Sequence, residues 1–129
     1  MSWPTILAIG SGGFLGAVLR AYLNGLISSK VPHDLPYGTL GVNLIGSFIM
    51  GAIMAYFMYS SIFSLQAKSF LSTGFLGALT TYSTFAFESF LLLEGGHILL
   101  ALANISLNAF GSVFMAGSGF LIFKYYIFR

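Results

Sequence analysis

A hydroxyl-rich segment interrupts a long apolar stretch in the second half of the chain. Residues 74–87 read GFLGALTTYSTFAF. At membrane depth such an interruption is tolerated only where protein or a water-filled path satisfies the polar groups. The segment is therefore predicted to form the wall of an ion or solute pathway. The hydroxyl and aromatic residues at its centre are Thr80, Thr81, Tyr82, Ser83, Thr84 and Phe85.

Two kinds of ion chemistry are available in this segment. Where a membrane helix unwinds, the carbonyl groups that end its first half can bind a cation. Gly77 is suited to such a break because glycine tolerates unusual dihedral angles. An aromatic ring is relatively positive at its edge, so Tyr82 and Phe85 could approach a small anion without a formal charge. The alternative is that both rings are ordinary lipid-facing or core aromatics.

Amide and hydroxyl side chains in other apolar runs could belong to the same pathway. Asn43 should have a hydrogen-bond partner, because an unbonded amide is costly in an apolar environment. It could line the pathway or brace a neighbouring helix. Asn104, Asn108 and Ser112 recur every four residues and therefore share one helix face. This face could pack against another helix or line a wet path.

Two charged residues lie well inside the apolar runs. Arg20 either extends its guanidinium to the membrane interface or faces water, where it would attract anions. Glu88 follows Thr84 by one helical turn and could be partly exposed near the end of its run.

The composition defines the elements that must position these residues. Of 129 residues, 57% are hydrophobic and only 6% are charged, against about 25% charged in soluble domains. A membrane-spanning helix needs about 20 mostly apolar residues. The chain divides into four such runs at residues 5–27, 38–59, 68–93 and 98–123. We therefore predict an all-α integral membrane protein, a single four-helix transmembrane domain with a broken third helix.

Several classes of function are disfavoured. His33 and His97 lie in predicted loops without a cluster of carboxylates or thiols, so no catalytic or metal-binding arrangement is apparent. The net charge of +2 is too small and too scattered to suggest nucleic acid. We expect neither an enzyme nor a nucleic-acid-binding protein.

The charges give only a weak preference for one membrane orientation. Lys68, Lys124 and Arg129 fall on one predicted side, and Lys30 with Arg20 on the other. Because orientation follows the lysine and arginine bias, this near tie makes insertion in both orientations plausible. The alternative is a single, weakly specified orientation.

Small residues recur at helical spacing in the first two runs. Gly12 and Gly16 continue a series from Ala8, and Gly51 belongs to a series that starts at Asn43. Such rows allow close helix packing in lipid. We predict a homodimer, although the rows could equally pack helices within one chain.

Three sequence blocks together resemble the Fluc (CrcB) family of bacterial fluoride channels. The blocks are GGFLGAVLR at 12–20, YGTLGVNLIGSFIMG at 37–51 and TGFLGALTTYSTFAFE at 73–88. The resemblance implies a passive fluoride-selective channel that exports fluoride across the bacterial inner membrane and relieves its toxicity. It also implies an antiparallel, dual-topology homodimer. A structural sodium ion at the dimer interface would be held by the backbone carbonyls of Gly77 and Thr80.

The resemblance also implies roles along the fluoride pathway. Asn43 would donate an amide hydrogen to the ion, and Phe85 would offer its ring edge. Ser83 and Thr84 would supply hydroxyl groups. The remaining expected pathway residues are the vestibule Arg20 and the fourth-helix polar residues Asn104, Asn108 and Ser112.

One position departs from the family pattern. The family usually has TTFSTF at the third-helix break, and this chain has TTYSTF. Tyr82 thus adds a hydroxyl group that could donate to fluoride, hold water or retard the ion.

Two other functions remain open on sequence grounds. A small dual-topology multidrug/proton antiporter would share the length and the spans, but it needs an acid in its first helix. That helix carries Arg20, and Glu88 in the third run is the only substitute. A non-transporting assembly subunit would use its small-residue rows for docking, but it has no need of a broken helix.

Overall fold

The computed structural model describes residues 1–31 and 34–129, and His33 lies outside the described residues. Within this described part, four helices are long and apolar enough to cross a membrane. The predicted all-α architecture is thereby confirmed. In chain order, the elements are α1 (Trp3–Lys30), α2 (Tyr37–Tyr59), α3 (Leu65–Ser69), a π-helical segment π1 (Phe70–Leu76), α4 (Gly77–Leu79), α5 (Tyr82–Glu94) and α6 (Ile98–Ile127).

Short polar side chains cap the N-termini of α1 and α3. Ser2 Oγ accepts a hydrogen bond from the Thr5 amide at the start of α1, at 3.4 Å. Ser64 Oγ accepts from the Ala67 amide at the start of α3, at 3.1 Å. These oxygens satisfy amides that have no partner within a helix. Between α5 and α6, Gly96 takes a φ of +81°, which favours glycine.

The third span, Leu65–Glu94, is broken at two threonines. Thr80 has φ −85° and ψ 154°, and Thr81 has φ −145° and ψ 119°, so both are extended. β-Branched threonine suits extended backbone. Gly77, where the sequence suggested unusual dihedral angles, is helical with φ −62° and ψ −34°. The break therefore begins three residues after the glycine.

Helix α1 packs against π1 through glycines. Gly12 lies against the Phe70 carbonyl and Gly16 against the Phe75 carbonyl, so closely that an added methyl group would overlap either oxygen. Gly74 of π1 faces the backbone of α1 in the same way. Because these glycines have no side chains, the backbones of α1 and π1 can lie in direct contact.

Helices α2 and α6 make a second close pair. Gly51 lies against the Ala116 carbonyl, and Gly119 lies against the Phe48 carbonyl. The sequence left open whether its small-residue rows serve internal packing or association. In the structure, the glycines of both helix pairs lie at contacts between helices of one chain.

The residues buried between the helices include polar as well as apolar side chains. Leu76, Leu79 and Val42 are fully buried there together with Thr39 and Asn104. Large apolar side chains cover the outer surface of all four spans. Lipid tails are as apolar as these side chains, so this surface is suited to a bilayer. The chain is a multi-pass membrane protein.

Candidate functional site

The Asn43 side chain of α2 holds the broken segment of the third span. Its Oδ1 accepts from the Thr81 amide at 2.8 Å, and its Nδ2 donates to the Thr81 carbonyl at 3.0 Å. In an unbroken helix the Thr81 amide would donate to the Gly77 carbonyl. Asn43 therefore replaces the helical acceptor that the Thr81 amide loses at the break, and it also binds the Thr81 carbonyl.

A chain of buried polar side chains continues from Asn43. Its Nδ2 also donates to Asn108 Oδ1 at 2.9 Å. Asn108 Nδ2 donates to the carbonyl oxygen and Oδ1 of Asn104, at 3.0 and 3.1 Å. Asn104 Nδ2 donates to Ser89 Oγ at 2.9 Å, and Ser89 Oγ donates to the Phe85 carbonyl at 2.8 Å. This chain connects α2, α6 and α5.

A cavity of about 450 Å³ opens beside this polar chain. Met50, Ile105 and Ala109 supply apolar parts of its wall. Its other lining residues carry the groups that could contact an ion, namely Asn43, Ser47, Thr80, Thr81, Tyr82, Phe85, Asn108 and Ser112. Hydrogen-bond donors and apolar side chains thus line one space, as in a solute-binding cavity.

The two aromatic residues of the break meet edge to face at this cavity. The ring centroids of Tyr82 and Phe85 are 5.3 Å apart, with planes inclined by 76°. Phe85 is 9% exposed and Tyr82 is 81% exposed in the single chain. Phe85 therefore belongs to the packed wall, whereas Tyr82 projects from it.

Some residues predicted for the pathway lie elsewhere. Ser83 and Thr84 are exposed and do not line the cavity. Thr81 Oγ1 accepts from the Thr84 amide at 3.3 Å, which caps the start of α5. Asn104 is fully buried behind Asn108, so it supports the cavity wall without facing the cavity.

Arg20 lies at the break, outside the cavity lining. Its Nη1 donates to the Thr80 carbonyl at 3.3 Å. This carbonyl follows the last turn of α4, where a helix carries partial negative charge. The positive side chain is therefore placed against the negative end of the first half of the third span.

Glu88 belongs to a different part of the molecule. Thr39 Oγ1 donates to Glu88 Oε1 at 2.5 Å. Glu88 also lines a second cavity of about 280 Å³, together with Asp34 and Tyr37. Neither Glu88 nor Thr39 lines the larger cavity.

Sequence reasoning missed three polar residues, two of them at this site and the third, Thr39, beside Glu88. Ser47 follows Asn43 by one helical turn, and Ser89 follows Phe85 by one turn, so helical spacing alone could have indicated both. Thr39 precedes Asn43 by the same interval. Among the described residues, no group of three or more histidine, aspartate and glutamate side chains could hold a metal ion.

Fold and site together define a class of protein: a four-span membrane protein with a helix break, a buried amide chain and a cavity lined by neutral donors. The chain belongs to the family described as CrcB-like protein, Camphor Resistance (CrcB), whose model matches residues 7–120. The family membership predicted from the three sequence blocks is confirmed.

Curated relatives carry a common description. A protein of Sulfurimonas denitrificans named fluoride-specific ion channel FluC is 80% identical over 124 residues, covering 96% of both chains. A protein of the same name from Nautilia profundicola is 51% identical over 93% of this chain and 94% of its own. One from Campylobacter jejuni is 48% identical over 93% of this chain and 98% of its own.

Proposed function

We infer that this chain is a passive fluoride-selective channel of the bacterial inner membrane, which carries fluoride out of the cell and relieves its toxicity. The observation that carries this function is the cavity at the helix break, where Asn43, Ser112 and the ring of Phe85 face one space. Relatives named as fluoride-specific channels support the same ion. The protein is a transporter and not an enzyme.

Uncharged hydrogen-bond donors are suited to the conduction of a small anion. Fluoride loses a tightly held water shell on entering the pore, so the wall must replace water with several donors. Amide, hydroxyl and ring-edge groups do so without the strong attraction of a buried ammonium group. Because conduction requires binding weak enough for release, such a wall favours passage over capture.

We assign distinct roles to the residues of the cavity. Asn43 supplies amide hydrogens, Phe85 supplies a ring edge, and Ser112 supplies a hydroxyl group. Tyr82 brings a second ring and a phenolic hydroxyl to the same space. Ser83, Thr84 and Arg20 would act where the ion enters or leaves the cavity, because they are near the break without lining the cavity.

The break also suits a structural sodium ion at a dimer interface. Pairing of the Thr81 amide with Asn43 removes the helical donor from the Gly77 carbonyl. The Thr80 carbonyl already accepts a hydrogen bond from cationic Arg20. Carbonyl oxygens are hard donors, and the C-terminal end of a half-helix attracts positive charge, so we propose that these two oxygens hold the ion. A bound ion would supply charge compensation for the broken helix.

A second copy of the chain would complete this arrangement. Gly77, Ser83 and Thr84 are exposed in the single chain, at the break of a membrane-spanning helix. Irregular backbone does not face lipid within the hydrocarbon region. We propose that a partner chain covers the break, so that the functional unit is a homodimer.

Charge favours an antiparallel, dual-topology arrangement of that dimer. The end of the helix bundle with Lys68 and Lys124 carries positive side chains, whereas the opposite end carries Asp34 and Glu94 beside a single lysine, Lys30. Antiparallel packing brings unlike ends together in each leaflet. The near tie of lysine and arginine between the two sides supports insertion in both orientations.

The test is ion efflux from liposomes that contain the purified protein, recorded with fluoride- and chloride-sensitive electrodes. Fast fluoride efflux without chloride efflux is expected. Efflux of both ions would contradict selectivity. If no fluoride leaves the liposomes, either from this protein or from its Tyr82→Phe variant, the proposed function is wrong.

A further inference from the structure

From the Thr81 amide to the Phe85 carbonyl, the hydrogen bonds of the buried polar chain run in one direction, apart from the bond that Asn43 Nδ2 returns to the Thr81 carbonyl at 3.0 Å. The Thr81 amide donates to Asn43, Asn43 to Asn108, Asn108 to Asn104, and Asn104 to Ser89. The Ser89 hydroxyl then donates to the Phe85 carbonyl. A chain of hydrogen bonds with one direction is self-reinforcing, because each bond polarises the next.

This direction leaves Asn43 without a spare donor. An asparagine side chain has two amide hydrogens. Asn43 Nδ2 donates to the Thr81 carbonyl at 3.0 Å and to Asn108 Oδ1 at 2.9 Å. An ion that takes a hydrogen from Asn43 must therefore displace one of these two acceptors.

The bond to Asn108 is the one that can be released. Asn43 binds Thr81 at both its amide and its carbonyl, so breaking the bond to the Thr81 carbonyl would disrupt a two-point contact. The bond to Asn108 is single, and Asn108 lines the same cavity as Asn43.

Asn104 fixes which end of the Asn108 amide faces Asn43. Asn104 offers its backbone carbonyl and its Oδ1 as acceptors to Asn108 Nδ2. Asn104 Nδ2 donates to Ser89 Oγ, which orients the amide so that its Oδ1 faces Asn108. Asn108 therefore presents an oxygen, and not a donor, toward Asn43.

We propose that the Oδ1 atom of Asn108 is an internal competitor for fluoride at the Asn43 amide. Fluoride gains the Asn43 hydrogen only by displacing this oxygen, and the oxygen returns as the ion departs. Asn108 thereby weakens fluoride binding and speeds release, which a conducting site requires. Asn104 acts on this step as a positioning residue through Asn108. The inference rests on the proposed fluoride function.

The test replaces Asn108 with alanine and measures fluoride binding and flux separately. Binding to the purified full chain is followed by the ¹⁹F NMR signal of added fluoride, and flux by liposome efflux. Asn108→Ala should tighten binding by roughly three- to tenfold, the effect of no longer breaking one neutral hydrogen bond. Maximal flux should fall. Asn24→Ala, in α1 outside the polar chain, is the matched control and should change neither.

A double substitution checks that the effect acts through Asn43. In an Asn43→Ala background, Asn108→Ala should no longer tighten fluoride binding, because the contested hydrogen is absent. If Asn108 instead donates to the ion directly, Asn108→Ala will weaken binding, and the proposal is overturned. Unchanged binding overturns it as well. If the unaltered protein neither binds nor passes fluoride, the proposed function fails, and not this inference alone.

A second measurement keeps the proposal testable if Asn108→Ala does not fold. The chain has four asparagines, Asn24, Asn43, Asn104 and Asn108, so selective ¹⁵N labelling gives few side-chain amide signals. Fluoride should shift the signals of Asn43 and Asn108 and leave that of Asn24 unchanged. A titration in which the Asn43 signal does not move would overturn the proposal.

Discussion

At the scale of single residues, hydrogen-bond partners separate side chains that face the cavity from those that hold its wall. Asn43 does both, since it pairs with Thr81 and lines the cavity. Phe85 lines the cavity, while Ser89 and Asn104 stand behind it. The sequence predicted that Asn43 needs a partner. It could not identify Thr81, which lies 38 residues further along the chain.

Asn43→Asp should remove fluoride flux. A carboxylate lacks both donated hydrogens, and its charge repels the ion at a cost of a few kcal/mol. We expect liposome efflux to fall by about a hundredfold or more. Asn24→Asp places the same change outside the cavity and should leave efflux near normal. Normal efflux from Asn43→Asp would remove Asn43 from the pathway.

Phe85→Ile tests the role of the aromatic edge. Isoleucine fills much of the space of the ring but has no positively polarised edge. We expect fluoride efflux to fall by roughly tenfold, since about 1 kcal/mol or more of ion stabilisation is lost. Phe90→Ile on the same helix is the control, because Phe90 is exposed away from the cavity. Equal efflux from the two variants would show that the ring is only a packing element.

At the scale of elements, the third span explains why the site exists. Its first half ends at Leu79, and α5 starts again at Tyr82 under the cap of Thr81. At the intervening threonines, backbone groups lack the hydrogen-bond partners that a continuous helix would give them. The preceding π1 also widens the helix where the glycines of α1 approach. The break and the wide π-helical turn therefore together determine how the third span packs against α1 and α2.

Gly16→Ala should destabilise the contact between α1 and π1. Its new methyl group would overlap the Phe75 carbonyl, and overpacking of this kind costs about 1–3 kcal/mol. Gly25→Ala is the matched control, because nothing lies within 4 Å of the added methyl group. That control should be neutral or slightly stabilising. Thermal unfolding in detergent measures both, and equal melting temperatures would contradict the assigned packing.

The sequence predicted spans better than contacts, for physical reasons. Hydrophobic runs mark the membrane core, so residues 38–59 nearly match α2. The helices α1 and α6 extend beyond their runs because polar and aromatic residues continue the helix past the apolar part. π1 had no sequence signal, since its residues are as apolar as those of an α-helix. The expected break near Gly77 fell at Thr80, because side-chain partners, and not glycine flexibility, stabilise it.

At the scale of the whole molecule, the polar helix break of a single chain is exposed on an otherwise apolar surface. Gly77 and Ser83 are exposed there, and Tyr82 projects beside them. A bilayer gives no hydrogen bonds to such groups. Association would cover them and enlarge the cavity wall with residues of the partner. Fluoride conduction and dimer formation are therefore expected to depend on the same surface.

Dual topology makes a direct prediction for labelling from the two sides of a membrane. The chain has no cysteine, so Ser29→Cys at the exposed end of α1 introduces a single thiol without removing a lysine or arginine that sets the orientation. In sealed membranes, a membrane-impermeant maleimide should label about half of the chains, because the two orientations are inserted nearly equally. A second variant, Tyr126→Cys, reports the opposite end of the chain and should also be about half labelled. Full labelling of one variant with none of the other would establish a single orientation and exclude the antiparallel dimer.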